Sequence, residues 1–375
     1  MTTGKDATRF GWRRAVPTAA ALLLASGCGV LPVPDRTDGP CPEGWRAAVL
    51  WSTQNGTAST LSYVMADGTV EERSLPYIGF ETAGAGTIER RGTDFVMVSN
   101  GDMNRDRTHI VTLSETCQVT AVEVDESVVL GVTTSPEAVF TTGWLNGAGW
   151  IHRHGRDGGT TELSLADITL SKPVAHDGRV YIFGMSDTDG GPLLLVLDAT
   201  SLEELDRIPL APDTGEVINA LVKDGMLYHP FTGPPDGSRE GDSLGVIDLA
   251  TLEQTAIRLE APSPYLLTAT DDALYIGHTF MNNGYRPMNE YVWVTRYTPS
   301  TGDAQTFDVG TAPGVGITAI AASGTDLFVL GTADDNAESA TLLIHDTTTM
   351  ATTAQAVVPM PGGAGHHYVA GLIVR

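Results

Sequence analysis

The chain has few basic residues, few cysteines and no long apolar run. Only Lys5, Lys172 and Lys223 are lysines, and 22 Lys and Arg face 46 Asp and Glu, which gives a formal net charge of −24. Nucleic-acid binding requires a basic face, so this balance excludes a nucleic-acid partner. It also argues against a domain that lies flat on anionic lipid.

The apolar stretch near the start, residues 15–27, is too short to span a bilayer. It follows a basic segment and ends in LASGC, where Cys28 is the cysteine. The basic residues are Lys5, Arg9, Arg13 and Arg14. The arrangement resembles a bacterial lipoprotein signal, which implies a signal peptide at 1–27 and a diacylglycerol and palmitate anchor on Cys28. The protein would then be anchored in the cell membrane and face the extracytoplasmic side.

Two alternatives stay open for this segment. One is an ordinary secretory signal that is cleaved nearby, and the other is twin-arginine rather than Sec export through Arg13 and Arg14. Residues 28–44 are rich in Pro, Gly and Asp, and we interpret them as a flexible spacer between the membrane and the domain.

Only three cysteines are present, and Cys28 is assigned to the lipid. An exported chain meets an oxidising compartment, so Cys41 and Cys117 are predicted to form a disulfide. Neither has a second cysteine or a histidine at metal-ligand spacing, which argues against a metal or catalytic role.

The chain contains instead a repeated unit, a turn followed by a short apolar strand. Clear copies are DGRVYIFG at 177–184, DGMLYHPF at 224–231, DDALYIGH at 271–278 and GTDLFVLG at 324–331. An apolar residue marks each copy, with neighbouring marks 41 to 53 residues apart. These marks are Leu50, Phe95, Phe140, Tyr181, Tyr228, Tyr275 and Phe328. Such a period, with strands and no helical stretches, predicts an all-β, seven-bladed β-propeller with four-stranded blades.

One blade can be followed in full from its pattern. We predict its strands, from the inside outwards, at 217–223, 227–231, 244–249 and 255–260. The domain at 45–375 starts with a strand of the second type and ends with an inner-type strand at 367–375. The C-terminal strand is therefore expected to complete the first blade and close the ring.

The repeat resembles the YVTN-type or quinoprotein-like repeat of bacterial propellers. The resemblance rests on DGRVYI with LVLDATS and on DGMLYH with VIDLATL, and it covers 45–375, most clearly 177–346. It implies architecture rather than activity. A quinone is suggested by the resemblance alone. Because no tryptophan repeats at the blade ends and no haem motif is present, no cofactor is predicted.

Loops that vary in composition on one face of a regular scaffold are where binding usually resides. Aromatic, histidine and arginine residues of blades 3, 5 and 6 and of the closing strand form our candidate site for a ligand or partner. They are Trp144, His229, Phe231, His278, Phe280, Tyr285, Arg286 and His366.

No metal site is predicted. Asp102, Asn104 and Asp106 have part of a calcium-loop spacing, but Arg107 stands where glycine is expected. His152 and His154 alternate on one strand face, which we interpret as outer and solvated.

The sequence also lacks GxSxG and the phosphate-loop and dinucleotide-binding glycine motifs, so no catalytic residue is predicted. We predict a membrane-anchored binding platform for an envelope protein or a small exported ligand. The alternative is a lyase or hydrolase in which His229, His278 or His366 is the general base of an axial pocket. A purely structural envelope protein is the third interpretation.

Overall fold

The computed structural model describes residues 39–81, 88–101, 107–126, 128–186, 188, 190–234, 240–279, 281–282, 286–287, 292–310, 316–332, 338–362 and 366–375, and every structural statement refers to these. They form thirty β-strands and a 3₁₀ turn at Pro212–Thr214. No helix within them is both long enough and apolar enough to cross a membrane.

Seven four-stranded antiparallel sheets follow one another along the chain, so the structure is the predicted seven-bladed β-propeller. Blades 1 to 3 contain β1 (Trp45–Thr53), β2 (Ser59–Met65), β3 (Val70–Leu75), β4 (Ile88–Arg91), β5 (Asp94–Ser99), β6 (Thr108–Leu113), β7 (Val119–Val124), β8 (Gly131–Thr134), β9 (Ala138–Leu145), β10 (Ala148–Gly155) and β11 (Thr160–Ala166). Blades 4 and 5 contain β12 (Ile168–His176), β13 (Arg179–Ser186), β14 (Pro192–Asp198), β15 (Glu204–Pro209), β16 (Leu221–Lys223), β17 (Met226–Pro230), β18 (Ser243–Asp248) and β19 (Gln254–Arg258).

Blade 6 is interrupted by a small hairpin between its second and third strands. Blades 6 and 7, with the hairpin, contain β20 (Pro264–Ala269), β21 (Leu274–His278), β22 (Met281–Asn282), β23 (Arg286–Pro287), β24 (Trp293–Thr298), β25 (Asp303–Asp308), β26 (Gly316–Ser323), β27 (Asp326–Thr332), β28 (Ser339–Asp346) and β29 (Thr352–Pro359). The last strand, β30 (His367–Val374), belongs to blade 1.

The ring closes as predicted. β30 pairs antiparallel with β1, from Ala47 opposite Val374 to Thr53 opposite His367, and gives blade 1 the order β3-β2-β1-β30. The first and last strands of the domain therefore share one sheet, and this closure covers the inner edge of β1.

The repeated apolar residues lie in the second strand of every blade; six of them face the next blade, whereas Phe95 faces the previous one, blade 1. Each lies in the second strand from the centre and is at most 8% exposed. They are Leu50, Phe95, Phe140, Tyr181, Tyr228, Tyr275 and Phe328. The period in the sequence thus reflects one buried residue per blade, packed between neighbouring sheets.

A repeated aspartate shapes the turn between the third and fourth strands. In blades 4, 5 and 7 its Oδ1 accepts hydrogen bonds from the backbone N–H groups two and three residues later, which fixes a tight turn. The aspartates are Asp198, Asp248 and Asp346. Four residues after each, the chain adopts a positive φ, at Leu202, Leu252 and Met350. In blade 2 the turn's positive-φ residue is Cys117, with φ 61°.

The disulfide Cys41–Cys117 is present, as predicted, with a sequence separation of 76 residues. It joins the segment that precedes β1 to the β6–β7 turn of blade 2. The start of the domain is therefore covalently attached to the second blade.

The inner strand of blade 5 is shorter than predicted. Only Leu221–Lys223 pair with β17, whereas the pattern predicted a strand from residue 217. The carbonyl of Val217 instead accepts a hydrogen bond of 2.7 Å from Ser171 Oγ on β12. Because the Val217 carbonyl is hydrogen-bonded to blade 4, pairing with β17 in the blade 5 sheet begins four residues later, at Leu221.

Apolar side chains fill all seven junctions between neighbouring blades, and the junction between blades 2 and 3 differs in composition. Its buried cluster consists of six valines and one isoleucine, without a buried aromatic residue. Its members are Val96, Val98, Ile110, Val124, Val129, Val132 and Val139. Since these side chains are small, the two blades leave space between their outer halves.

Candidate functional site

Two of the predicted site histidines lie inside the blades. His229 on β17 is 2% exposed, and its ring packs between Phe183 and Phe231 at centroid distances of 5.0 and 5.4 Å. His278 on β21 is fully buried; its Nδ1–H donates to the Pro262 carbonyl and its Nε2 accepts from Thr295 Oγ1, each at 2.8 Å. Neither ring reaches a surface that a protein partner could touch.

Burial disfavours the charged form of both rings and lowers the pKa of each to about 4. A histidine with a folded-state pKa below its unfolded value of about 6.5 binds more protons when unfolded. Its contribution to stability is therefore intact above pH 6.5 and is lost as the pH falls towards 4. Each ring is expected to remove about 3 kcal/mol of stability over that window.

The variant His229→Phe tests this pH dependence. Phenylalanine cannot titrate, and it removes Nδ1, a buried atom without a hydrogen-bond partner in the described structure. Between pH 7.5 and 4.5 the variant is expected to lose about 2.5 kcal/mol less unfolding free energy than the wild type. Urea denaturation at both pH values measures the difference, which is independent of a constant packing cost. An equal loss in both proteins would show that His229 is not neutral in the folded state.

The other predicted site residues are dispersed. Trp144 at the end of β9 is 39% exposed, and His366 lies exposed just before β30. Phe231 is half-buried against His229. Phe280 and Tyr285 lie outside the described residues, as do Asp102, Asn104 and Asp106. Arg286 belongs to β23, and the structure describes only its backbone. The predicted pore-mouth patch therefore stays a prediction, and the contact the structure shows within it is between His229 and Phe231.

A cavity of about 240 Å³ lies on the propeller axis, lined by residues of six innermost strands or the segments leading into them. Lys172 on β12 is 3% exposed there and forms an ion pair with Glu89 on β4. None of the described residues that line this cavity is a histidine. The axial general base of the alternative prediction thus has no counterpart among them.

A second cavity, of about 740 Å³, opens between blades 2 and 3. It is lined by β6 and β7 on one side and by β10 and β11 on the other, beyond the small valine cluster of this junction. We call it the blade 2–3 cleft. Its charged and histidine lining residues are Arg91, Arg107, Glu123, Asp125, Glu126, His152, His154, Arg156 and Glu162.

Glu126, His152 and His154 converge in this cleft. Glu126 Oε1 lies 2.7 Å from His152 Nδ1 and 2.7 Å from His154 Nε2. The interpretation of the two histidines as outer and solvated was wrong: their side chains are 15% and 14% exposed. They lie on β10, the third strand of the blade, and the segment that leads from blade 2 to blade 3 passes over them and brings Glu126 against them.

Hydrogen bonds fix that connecting segment in place. Thr108 Oγ1 on β6 donates to the Glu126 carbonyl at 2.6 Å. The Asn100 side chain accepts from the Val129 N–H at 2.9 Å and donates to the Val129 carbonyl at 3.0 Å. The backbone of the segment is thus anchored at Glu126 and again at Val129.

The carboxylate is buried yet ionised. Burial raises the pKa of Glu126, but the hydrogen bonds and charges of His152 and His154 outweigh it and lower the pKa to about 2. Burial alone lowers the pKa of His152, and the hydrogen bond to Glu126 reverses this, so the net shift is upward. Glu126 Oε2 is buried and has no hydrogen-bond partner among the described residues.

The arrangement offers one carboxylate and two imidazoles at a solvent-accessible cleft. These groups can bind a cation or accept a proton from a ligand. The sequence showed the alternation of His152 and His154 but gave no signal for Glu126, which is 26 residues from His152 in an irregular connecting segment.

Comparisons with known proteins reveal the fold alone. No family model and no curated protein matches the chain. Among solved structures, a putative 6-phosphogluconolactonase from Bacteroides uniformis is 14% identical with a TM-score of 0.57, covering 85% of this chain and 98% of that one. Apo AztD from Citrobacter koseri is 9% identical with a TM-score of 0.50, covering 88% and 97%. A variant of the Synechocystis apocarotenoid oxygenase is 10% identical with a TM-score of 0.51, covering 86% and 93%.

Proposed function

We propose that this chain is a lipid-anchored extracytoplasmic propeller that binds a small exported ligand in the blade 2–3 cleft. The anchor is the acylated Cys28, and the spacer before β1 holds the domain away from the membrane. The observation that carries the proposal is the buried carboxylate of Glu126, of which one oxygen lies 2.7 Å from a nitrogen of each of two histidines and the other has no described partner.

The energetics of burial support a ligand at this position. A carboxylate removed from water is costly unless its oxygens are hydrogen-bonded, paired or bound to an ion. The side chain of Glu126 is 1% exposed, and the cleft beside it holds about 740 Å³. A bound ligand that satisfies the second oxygen would offset the remaining desolvation cost.

The charged residues that line the cleft also support a small polar ligand. In a chain with a net charge of −24, three arginines line this one cleft, together with four carboxylates. They are Arg91, Arg107 and Arg156. A small ligand with both positive and negative groups, or an ion with its counter-ligand, matches such a mixed lining better than an apolar partner surface does.

Native mass spectrometry of the mature lipoprotein, purified from its own membranes in mild detergent, tests the proposal. We expect a non-covalent mass on the wild type. Val122→Trp, at a 65% exposed position of β7 in the cleft, should remove most of that mass by filling the entrance. Val357→Trp is the matched control, because Val357 is 58% exposed on β29, the outer strand of blade 7.

The same preparation tests the anchor. Radiolabelled palmitate is expected to enter the wild type and both tryptophan variants but not Cys28→Ala. Equal labelling of Cys28→Ala would contradict the lipid assignment. An unliganded wild type, or equal ligand loss in Val122→Trp and Val357→Trp, would contradict binding in the cleft.

A further inference from the structure

We propose that Glu126, His152 and His154 bind one divalent transition-metal ion of the zinc type, with a remaining coordination position open to the cleft. This inference rests on the proposed function in that it uses the same cleft, and it names the class of ligand. Two imidazoles and one carboxylate form a donor set that zinc and similar ions accept, and three protein ligands leave a position for water or a second ligand.

The donor atoms lie close enough together for a single ion. One nitrogen from each histidine and a carboxylate oxygen all lie within 4.8 Å of one another. Tetrahedral bonds of about 2.0–2.1 Å place neighbouring ligand atoms about 3.3 Å apart. Separating the 2.7 Å pairs by roughly half an ångström, and bringing the two ring nitrogens from within 4.8 Å to that same spacing, makes room for the ion by side-chain rotation.

The unsatisfied oxygen is the second, independent observation. A nitrogen of each histidine lies 2.7 Å from Oε1, and His154 Nε2 is also 3.1 Å from Thr141 Oγ1, while Oε2 of the carboxylate is buried without a described hydrogen-bond partner. In a structure built only for hydrogen bonding, sharing the two donors between the two oxygens would satisfy both. A cation beside the carboxylate accounts for its burial, because a bound ion compensates the charge on both oxygens.

The surroundings resemble the outer shell that metal ligands need. A ligating histidine usually donates its other ring N–H to a carboxylate or carbonyl, which fixes the ring. Glu162 Oε2 on β11 lies 3.5 Å from His152 Nε2, the nitrogen that faces away from Glu126. Trp150 stacks on the His152 ring at 4.9 Å, and Thr108 holds the backbone of Glu126. The ligand positions are thus supported from neighbouring strands of two blades.

An ion can also reach the site. The cleft opens to solvent, and Glu123, Asp125 and Glu162 line it. The strongly acidic chain attracts cations towards its surface. Arg107 is paired with Glu123, and Arg91 and Arg156 line the same cleft and favour an anionic group at the open coordination position.

Zinc titration of the chelator-treated mature chain in detergent, with a competing chromophoric chelator, tests the inference. We expect one ion per wild-type chain. His152→Gln, His154→Gln and Glu126→Gln are each expected to weaken binding by about 100-fold or more, since loss of an outer-shell partner alone costs about 10–100-fold. His176→Gln is the matched control, a partly exposed histidine on β12 beside Asp177, and should change affinity less than about twofold.

Cobalt substitution supplies a readout of geometry. Co²⁺ in the wild type is expected to show the visible absorption of a four-coordinate nitrogen and oxygen site, and His154→Gln should lose it. Circular dichroism establishes that the variants are folded; if Glu126→Gln fails to fold, the two histidine variants decide the question.

The outcomes separate this inference from the proposed function. The metal site is contradicted if the wild type shows no saturable zinc binding. It is also contradicted if His152→Gln, His154→Gln and Glu126→Gln bind zinc with unchanged affinity. If zinc does not bind while native mass spectrometry still finds an organic ligand that Val122→Trp removes, the cleft proposal stands without the metal. If both measurements find nothing, both proposals fail.

Discussion

Deletion of residues 366–375 is expected to abolish cooperative folding instead of trimming the surface. β30 supplies the inner strand of blade 1 and buries Val369, Ala370, Ile373 and Val374 at no more than 6% exposure. Burying a valine or isoleucine contributes about 1.5–3 kcal/mol, so the strand carries a large part of a typical stability of 5–15 kcal/mol. Its loss also exposes the edge of β1 and opens the junction with blade 7, whose cluster includes Val369 and Val374.

Urea and thermal unfolding followed by far- and near-UV circular dichroism measure the effect. The matched control removes Arg375 alone, an exposed residue whose backbone N–H donates to the Arg46 carbonyl at 3.1 Å. The control is expected to lose less than about 1 kcal/mol. A cooperative transition of the ten-residue deletion near the wild-type midpoint would contradict closure of the ring by β30.

The second large effect is expected from Lys172→Met. Lys172 lies on β12 of blade 4, its ammonium pairs with Glu89 of blade 2, and it donates to the Val132 carbonyl of blade 3 at 3.2 Å. The substitution keeps the apolar stem but leaves a carboxylate that is 27% exposed without its counter-charge on the axis. Breaking a buried pair costs about 3–5 kcal/mol, and the partial exposure of Glu89 places the expected loss near 3 kcal/mol.

A double-mutant cycle isolates this ion pair. Glu89→Gln alone should also destabilise, and the double variant should lose clearly less than the sum of the two single losses. Urea denaturation of the four proteins gives the coupling energy. Additive losses would show that the ion pair between Lys172 and Glu89 does not contribute to stability.

The fold was predictable because the same short-range sequence pattern recurs along the chain. A buried apolar residue recurs in the second strand of all seven blades, and an aspartate-centred turn follows the third strand in blades 4, 5 and 7. The C-terminal strand has the pattern of an inner strand, and blade 1 was the one blade that lacked such a strand. The inner strand of blade 5 was predicted too long because Ser171 of the neighbouring blade takes the Val217 carbonyl, a contact that no single-blade pattern contains.

The site was less predictable, for two physical reasons. His229 and His278 lie on second strands, whose two faces are both covered by neighbouring blades. Both rings are therefore buried, although the polarity of histidine suggested a place at the surface. Glu126 belongs to an irregular segment between blades, and its partners depend on the path of that segment across β10. The alternation of His152 and His154 was interpreted correctly as one face, but the sequence did not reveal what covers it.

The measurement that tests the central claim most directly is anomalous diffraction at the zinc K-edge from crystals of the mature chain grown with zinc. The account predicts an anomalous peak in the blade 2–3 cleft, about 2.0–2.1 Å from His152 Nδ1, from His154 Nε2 and from a Glu126 carboxylate oxygen. Peaks confined to surface carboxylates, with Glu126 Oε1 still hydrogen-bonded to both histidines, would contradict it.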